Sequence, residues 1–288
     1  MKIDIANHDC TLIWDGIYYF ALSDYPHISS WELKKLLAFM DYEKRHGRKT
    51  EIECEDTNIL KAVNDAIAQP EMVETAVLPS KITECTACKQ HGCLTEFVCH
   101  TATLENAKKI LASGKLLSAI KAFAKTADEL IPDKRNAAGD PADFFEYIMF
   151  GWGNCQAGDR LVMERNLNGS LNYEAFVEAL ETNLTPGVRF YFRYKDIIRH
   201  PGYVFDGYHP AKIKDELTLS DCLYACIIPE QYKNEIESII SPVIIEKIYY
   251  LPQDGLGIWD WSERVYDFVK GLGEVNGEKA SVLLVQEG

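Results

Sequence analysis

A chain of 288 residues with a formal net charge of −14 is long enough for one large core or two moderate ones. It carries no diffuse basic surface with which to grip DNA, RNA or anionic lipid. Hydrophobic residues at 47 % and charged residues at 26 % exclude a disordered chain, and no apolar run approaches the ~20 residues that cross a bilayer. The opening MKIDIANHDC lacks a basic segment followed by an apolar run, so no secretory signal is expected and the expected location is the cytoplasm. Nine cysteines, spaced unlike a small secreted scaffold, favour reduced thiols or metal ligands over disulfides.

Residues 1–95 read as a front module. Ile3 and Ile5, then Leu12 and Trp14, predict short strands. Ser29 followed by Glu32 is a capping box that opens a helix with a predicted stripe of Leu33, Leu36, Leu37 and Met40. The basic run from Glu43 to Lys49 is its polar end, with Gly47 as a stop signal. A solvated helix end explains that run better than a nucleic-acid contact. A second helix is expected over 56–68, before Pro70.

The next stretch holds Cys85, Cys88, His91, Cys93, Cys99 and His100. A Cys-x2-Cys knuckle supplies two ligands of a tetrahedral zinc site from one turn. Cys85 and Cys88 have that spacing, Cys93 lies close enough to be the third ligand, and His91 or Cys99 would be the fourth. His8, Cys10 and Cys54 are candidates that folding would have to bring in. A structural zinc site on Cys85, Cys88, His91 and Cys93 stands beside two other readings: a cluster of reduced thiols, and a redox or nucleophilic role. An iron–sulfur cluster asks for the same thiols, while no catalytic zinc motif occurs.

From residue 96 to 288 the pattern changes. A strand is expected over 97–100, and Thr103 caps a short helix carrying Leu104, Ala107, Ile110 and Leu111 that Gly114 stops. Residues 131–143 read as loop, 144–150 and 172–182 as helix, and 188–194 and 222–228 as strands. A helix over 229–240, a strand over 243–251, a closing helix over 261–269 and a last strand in SVLLVQ complete the reading. His200 and His209 flank Gly202 and Gly207 in a loop with Tyr203, Asp206 and Tyr208, best taken as a turn. Strands mixed with short helices and long loops argue for the α+β class.

The run Cys99-His100-Thr101-Ala102-Thr103-Leu104, with Asn106, Ile110, Leu111 and Gly114 behind it, resembles the opening of NAD-dependent ADP-ribosyltransferase folds. It is most similar to the DarT-like enzymes that modify single-stranded DNA. Pro186-Gly187-Val188-Arg189-Phe190-Tyr191-Phe192 and the strand from Leu223 to Pro229 look like two further strands of that family. The likeness covers about 97–250. It implies an ADP-ribosyltransferase-like split β-sheet core behind an additional N-terminal α/β module, with NAD as cofactor and an unidentified macromolecule as acceptor.

Cleaving the nicotinamide–ribose bond develops positive charge on the ribose, much as glycosidic cleavage does. The site needs a carboxylate facing that charge, donors for the ribose hydroxyls and an aromatic ring for the nicotinamide. The resemblance puts His100 and Thr101 on ribose and nicotinamide amide and Asn106 beside them. Tyr191 is the aromatic candidate, and Arg160, Arg189 and Arg193 are the candidates for the diphosphate. The glycine-rich run 151–160 reads equally as a ligand-facing loop or an irregular surface one. Leu223 or Tyr224 stands where the family has its glutamate, so Asp221 and Glu216 are the nearest acids. The alternative function is a noncatalytic, metal-stabilised module that binds protein or nucleic acid, the latter unsupported by net charge. A thiol or metal hydrolase is a third.

Overall fold

The computed structural model describes residues 1–86, 92–132 and 141–275, the side chains of 274 and 275 excepted. Cys88, His91 and the SVLLVQ segment lie outside the described residues.

The front module is a four-stranded sheet under two helices. Strands β1 (Lys2–Ala6), β2 (Leu12–Trp14), β3 (Ile17–Ala21) and β4 (Glu51–Glu53) run in the order β2-β3-β1-β4. β1 is parallel to both β3 and β4, and β2 is antiparallel to β3. Ile3, Ile5, Tyr18 and Phe20 send alternate side chains into the core, as a two-residue strand period demands. Helix α1 (Ser30–Arg45) opens on the expected capping box. The Ser29 side chain accepts from the Glu32 amide while the Glu32 carboxylate accepts from the Ser29 amide at 2.7 Å. Helix α2 (Thr57–Ala68) is capped by Asp56 and buries Ile59, Val63 and Ala66.

The stripe of α1 is wider and rotated from the expected one. Leu36 is buried, but its buried companions are Glu32, Lys35, Phe39, Tyr42 and Glu43, whereas Leu33, Leu37 and Met40 are half-buried. The reason is that α1 is covered twice, by its own sheet and by residues from 142–147 and 206–212 of the rest of the chain. A Cβ on Gly207 would overlap the Lys35 carbonyl oxygen and the Phe39 amide.

Behind the front module, β5 (Lys81–Ile82) and β6 (Cys93–Leu94) form a small antiparallel pair. A seven-stranded sheet follows. Its strands are β7 (Phe97–Ala102), β9 (Tyr147–Trp152), β10 (Val188–Arg193), β11 (Tyr203–Val204), β12 (Ala211–Lys214), β14 (Leu223–Pro229) and β15 (Ile248–Leu251). They lie in the order β11-β12-β9-β7-β10-β14-β15, antiparallel throughout except for the parallel pair β14–β15. β8 (Lys115–Leu117) and β13 (Glu216–Thr218) pair separately.

Each face of the large sheet carries its own core. One packs on α3 (Leu104–Ser113) through Ala107 and Leu111, with Leu116 and Leu217 from the β8–β13 pair. The other packs on α4 (Ala157–Leu167), α5 (Tyr173–Thr182) and α6 (Ile258–Val275), with Ile258, Trp261, Val265 and Val269 spaced as one helical face. α3 begins and ends as expected, with Thr103 as N-cap and Gly114 at φ +69° in the left-handed region. The α+β class read from the sequence is the class of the structure.

Three local expectations are corrected. Residues 144–150 are not a helix: a 3₁₀ turn (Ala142–Glu146) leads into β9. The apolar run there has no period that separates helix from strand, and pairing with β7 and β12 on both sides decides it. The helix expected over 229–240 is broken into the short turns Glu230–Tyr232, Lys233–Ile236 and Glu237–Ile239. Only Ile248–Leu251 of the 243–251 strand is extended, behind a 3₁₀ turn that starts at Pro242.

Candidate active site

β7 is the central strand, and its pleat divides the candidate residues. His100 pairs with Phe190 and so shares a face with it, next to α3 and the β8–β13 pair. Tyr191 pairs with Cys99 on the opposite face. Thr101, one residue on from His100, also lies on the face away from it. His100 and Tyr191 are therefore not brought together.

His100 is half-buried. Its Nδ1 donates to the Met149 carbonyl at 3.1 Å, which fixes the neutral tautomer and leaves Nε2 as an acceptor. Burial pushes its pKa down, against the opposing pull of the Met149 carbonyl. Thr101 lies beneath α4: a Cβ on Gly158 would overlap its hydroxyl. Asn106 is half-buried and gives its backbone N–H to the Thr103 cap.

The opposite face holds a dry charge network. Arg189 is fully buried. Its guanidinium donates from Nε to Asp159 at 2.8 Å, with a second, shorter contact to the same carboxylate from an Nη. It also donates to the Tyr191 hydroxyl at 3.1 Å and to Ser262 at 2.6 Å. The other Asp159 oxygen accepts from the Gly187 amide at 2.8 Å, and the Tyr191 hydroxyl donates to the Gly153 carbonyl at 2.9 Å. Burial pushes the Tyr191 phenol pKa up even though Arg189 pulls it down. Every polar atom of this arginine–aspartate pair is satisfied from β10, α4 and α6, so Arg189 and Tyr191 are interior residues in this arrangement. Nothing local signals that pairing: Asp159 sits in the glycine-containing run read as a loop, and only the three-dimensional packing brings Arg189 to it.

The other arginines are at the surface. Arg160 is partly exposed, 3.3 Å from Glu164 and over the Phe176 ring. Arg193 lies over the Tyr224 ring at 4.6 Å.

The two candidate acids do meet. An open hollow of about 450 Å³ is lined by His200, Gly202, Lys214, Glu216, Asp221 and Cys222, among others. Pairing of β8 with β13 sets Glu216 beside Lys115, at 2.9 Å, and that hydrogen bond holds its carboxyl below the ordinary glutamate pKa. Asp221 is exposed and accepts from the Ser220 hydroxyl at 2.8 Å. His200 Nδ1 accepts from the Gly202 amide at 3.0 Å, so the neutral ring carries its proton on Nε2. His100 is not among the residues lining this hollow. His200, read from sequence as part of a turn, is; only the β11–β12 pairing carries it there.

Of the candidate thiols among the described residues, Cys85 and Cys93 stay together, whereas Cys99 belongs to the central strand. Cys93 is buried against Ile82, in a small cluster with Leu78, Cys85 and Trp152. Cys85 is the antiparallel backbone partner of Cys10 of the front module in an isolated β-bridge. Burial drives the Cys99 pKa up to about 12 and raises that of Cys155. No set of three or more metal-ligating side chains occurs among the described residues, and two of the four expected zinc ligands, Cys88 and His91, fall outside them.

No protein-family model matches the chain, and no curated protein or solved structure is significantly similar to it. No helix among the described residues is long and apolar enough to cross a membrane.

Proposed function

We propose that the chain is an NAD-dependent ADP-ribosyltransferase acting on a macromolecular acceptor, with the hollow at Glu216 and Asp221 as its reaction site. One observation carries the reading. The strand–helix–strand unit β7-α3-β8, where the family resemblance begins, ends on a strand whose partner delivers Glu216 to an open hollow that also holds Asp221.

The donor set fits a ribosyl group. Two carboxylates accept from ribose hydroxyls, and Glu216, kept ionised by Lys115, is suited to face positive charge developing at the anomeric carbon. The Nε2–H of His200 and the Lys214 ammonium supply donors on the same rim. About 450 Å³ lies within the usual range of small-molecule sites and would house the nicotinamide riboside half, with the remainder along the surface. When bound, NAD would supply the scissile glycosidic bond. The chain's part is to hold the ribose and to keep one carboxylate charged.

The test is transfer from labelled NAD to single-stranded DNA, RNA and protein, with release of nicotinamide followed in parallel. Glu216→Gln should abolish turnover without shifting the thermal midpoint, because that carboxylate is solvated, and Asp221→Asn should reduce it. Wild-type protein that neither binds nor cleaves NAD, or turnover indifferent to both substitutions, would leave the noncatalytic binding module as the better account.

A further inference from the structure

Cys10 and Cys85 come from segments far apart in the sequence, yet they are direct partners in an antiparallel bridge. The Thr86 amide donates to the Asp9 carbonyl at 2.7 Å. That bond joins the residue after one cysteine to the residue before the other, which is the pattern of a non-hydrogen-bonded pair. In such pairs Cα atoms stand about 4.5 Å apart with their side chains on the same side. This spacing falls inside the window of about 4.4–6.8 Å that a disulfide spans without backbone movement. Both residues are half-buried, so a small oxidant has access. Burial, and then the neighbouring charge of Cys85, push the Cys10 thiol pKa up, so the pair rests as thiols.

We propose that Cys10 and Cys85 are a reversible oxidation site, closing to a disulfide when a peroxide reaches them. The balance is complete with hydrogen peroxide as the oxidant. One thiol attacks an oxygen of the peroxide, the O–O bond breaks, and a sulfenic acid and one water form. The second thiol displaces the sulfenic oxygen as a second water, the S–S bond forms, and the two sulfurs have lost two electrons to the peroxide. In a reducing compartment the pair stays dithiol until such an oxidant arrives.

The pair sits where a covalent link has consequences. Cys10 lies between β1 and β2 of the front sheet. Cys85 lies between β5 and β6, a pair that packs on Trp152 of the central sheet through Ile82 and Cys93. Asn154 ties the same place down, its side chain donating to the Gly92 carbonyl at 2.6 Å and accepting from the Leu94 amide at 3.2 Å. Oxidation would thus staple the front module to the connector resting on the central sheet, closing a long loop of the unfolded chain. Cys155 is a competing partner, close enough to Cys85 to feel its charge, and Cys93, in the same cluster as Cys85, is another.

The test treats the full chain with stoichiometric hydrogen peroxide, then alkylates, digests without reductant and maps the linked peptides. The expected result is a Cys10–Cys85 pair, a fall in titratable thiols from nine by two, reversal by dithiothreitol, and a higher thermal midpoint for the oxidised form. Cys10→Ser should abolish both the link and the midpoint rise. Elemental analysis of untreated protein runs alongside. A Cys85–Cys155 or Cys85–Cys93 link, oxidation that stops at sulfinic acid, unreacted thiols, or a stoichiometric metal that shields Cys85 from alkylation would each overturn the proposal.

Discussion

Two buried charge networks in this protein use the same chemistry and differ in where they end. On the large sheet, Arg189 faces one carboxylate, Asp159, with both side chains fully buried. Between the modules, Lys212 is equally buried, and its Nζ lies 2.7 Å from Asp206, with the rings of Phe144 and Tyr42 at 3.3 and 4.4 Å. Asp206 has further support: it accepts from the amides of Tyr208 and His209 at 3.0 and 2.7 Å and lies 2.9 Å from the His209 ring. The network then runs outward. Lys212 donates to the Tyr42 hydroxyl at 3.3 Å, Tyr42 to Asp143 at 2.5 Å, and Arg48 bridges Asp143 and Glu43. A network closed within a dry interior is a point of failure, whereas a branched one with a solvated end redistributes a loss.

The largest expected effect follows from the closed, dry network. Asp159→Ala leaves the Arg189 guanidinium buried with only hydroxyl acceptors, and breaking such a pair costs roughly 3–5 kcal/mol. Urea denaturation of the variant should show it. The pair Asp159→Ala with Arg189→Met should recover much of the loss, because the uncompensated charge is gone. If the double variant is as unstable as the single one, the charge is not the cause.

Lys212→Met should cost less, about 2 kcal/mol, since Asp206 keeps two backbone amides and His209 and the thioether still fills the aromatic cage. The same urea experiment ranks the two variants. A loss equal to that of Asp159→Ala would remove the distinction drawn between the networks.

The smallest effect is on acid sensitivity. Burial alone would raise the Asp206 pKa, but His209 and Lys212 outweigh it and hold the carboxyl well below its ordinary value. For Asp143, burial is likewise outweighed by hydrogen bonds from Arg48 and Tyr42. A depressed folded-state pKa means the stabilisation is complete above the unfolded value of about 3.9 and is lost as pH falls below it. The stability gap between wild type and Asp206→Asn should therefore be constant above about pH 5 and narrow as the pH drops toward 2. A gap that stays constant through that window would show that proton uptake occurs elsewhere.

What could be read from the sequence was local. The Ser29–Glu32 capping box, the Asp56 side of the second helix, the Thr103 cap and the Gly114 stop each depend on residues within one turn of each other, and each is where the sequence put it. The two acids nearest the expected catalytic position do share a hollow. What could not be read was face and partner. The alternation of β10 is clear in the sequence, but which of Phe190 and Tyr191 shares a side with His100 is set by register against β7. Lys35 and Glu43 look like solvent residues of an amphipathic helix. They are buried because a second layer covers α1, and Lys35 then finds Glu84 at 2.7 Å. Polar residues buried by long-range pairing leave no mark in hydrophobic periodicity.

That second layer touches α1 at a point without a side chain. Gly207, at φ +74°, presses its backbone on the helix backbone at Lys35 and Phe39, and its carbonyl takes the Tyr18 hydroxyl at 3.0 Å. Flexible side chains at a contact cushion displacement by changing rotamer; two apposed backbones have no such slack. A displacement of α1 would therefore meet the Gly207 turn directly, with no side chain between to absorb it, and that turn leads into β12, whose last residue, Lys214, lines the hollow.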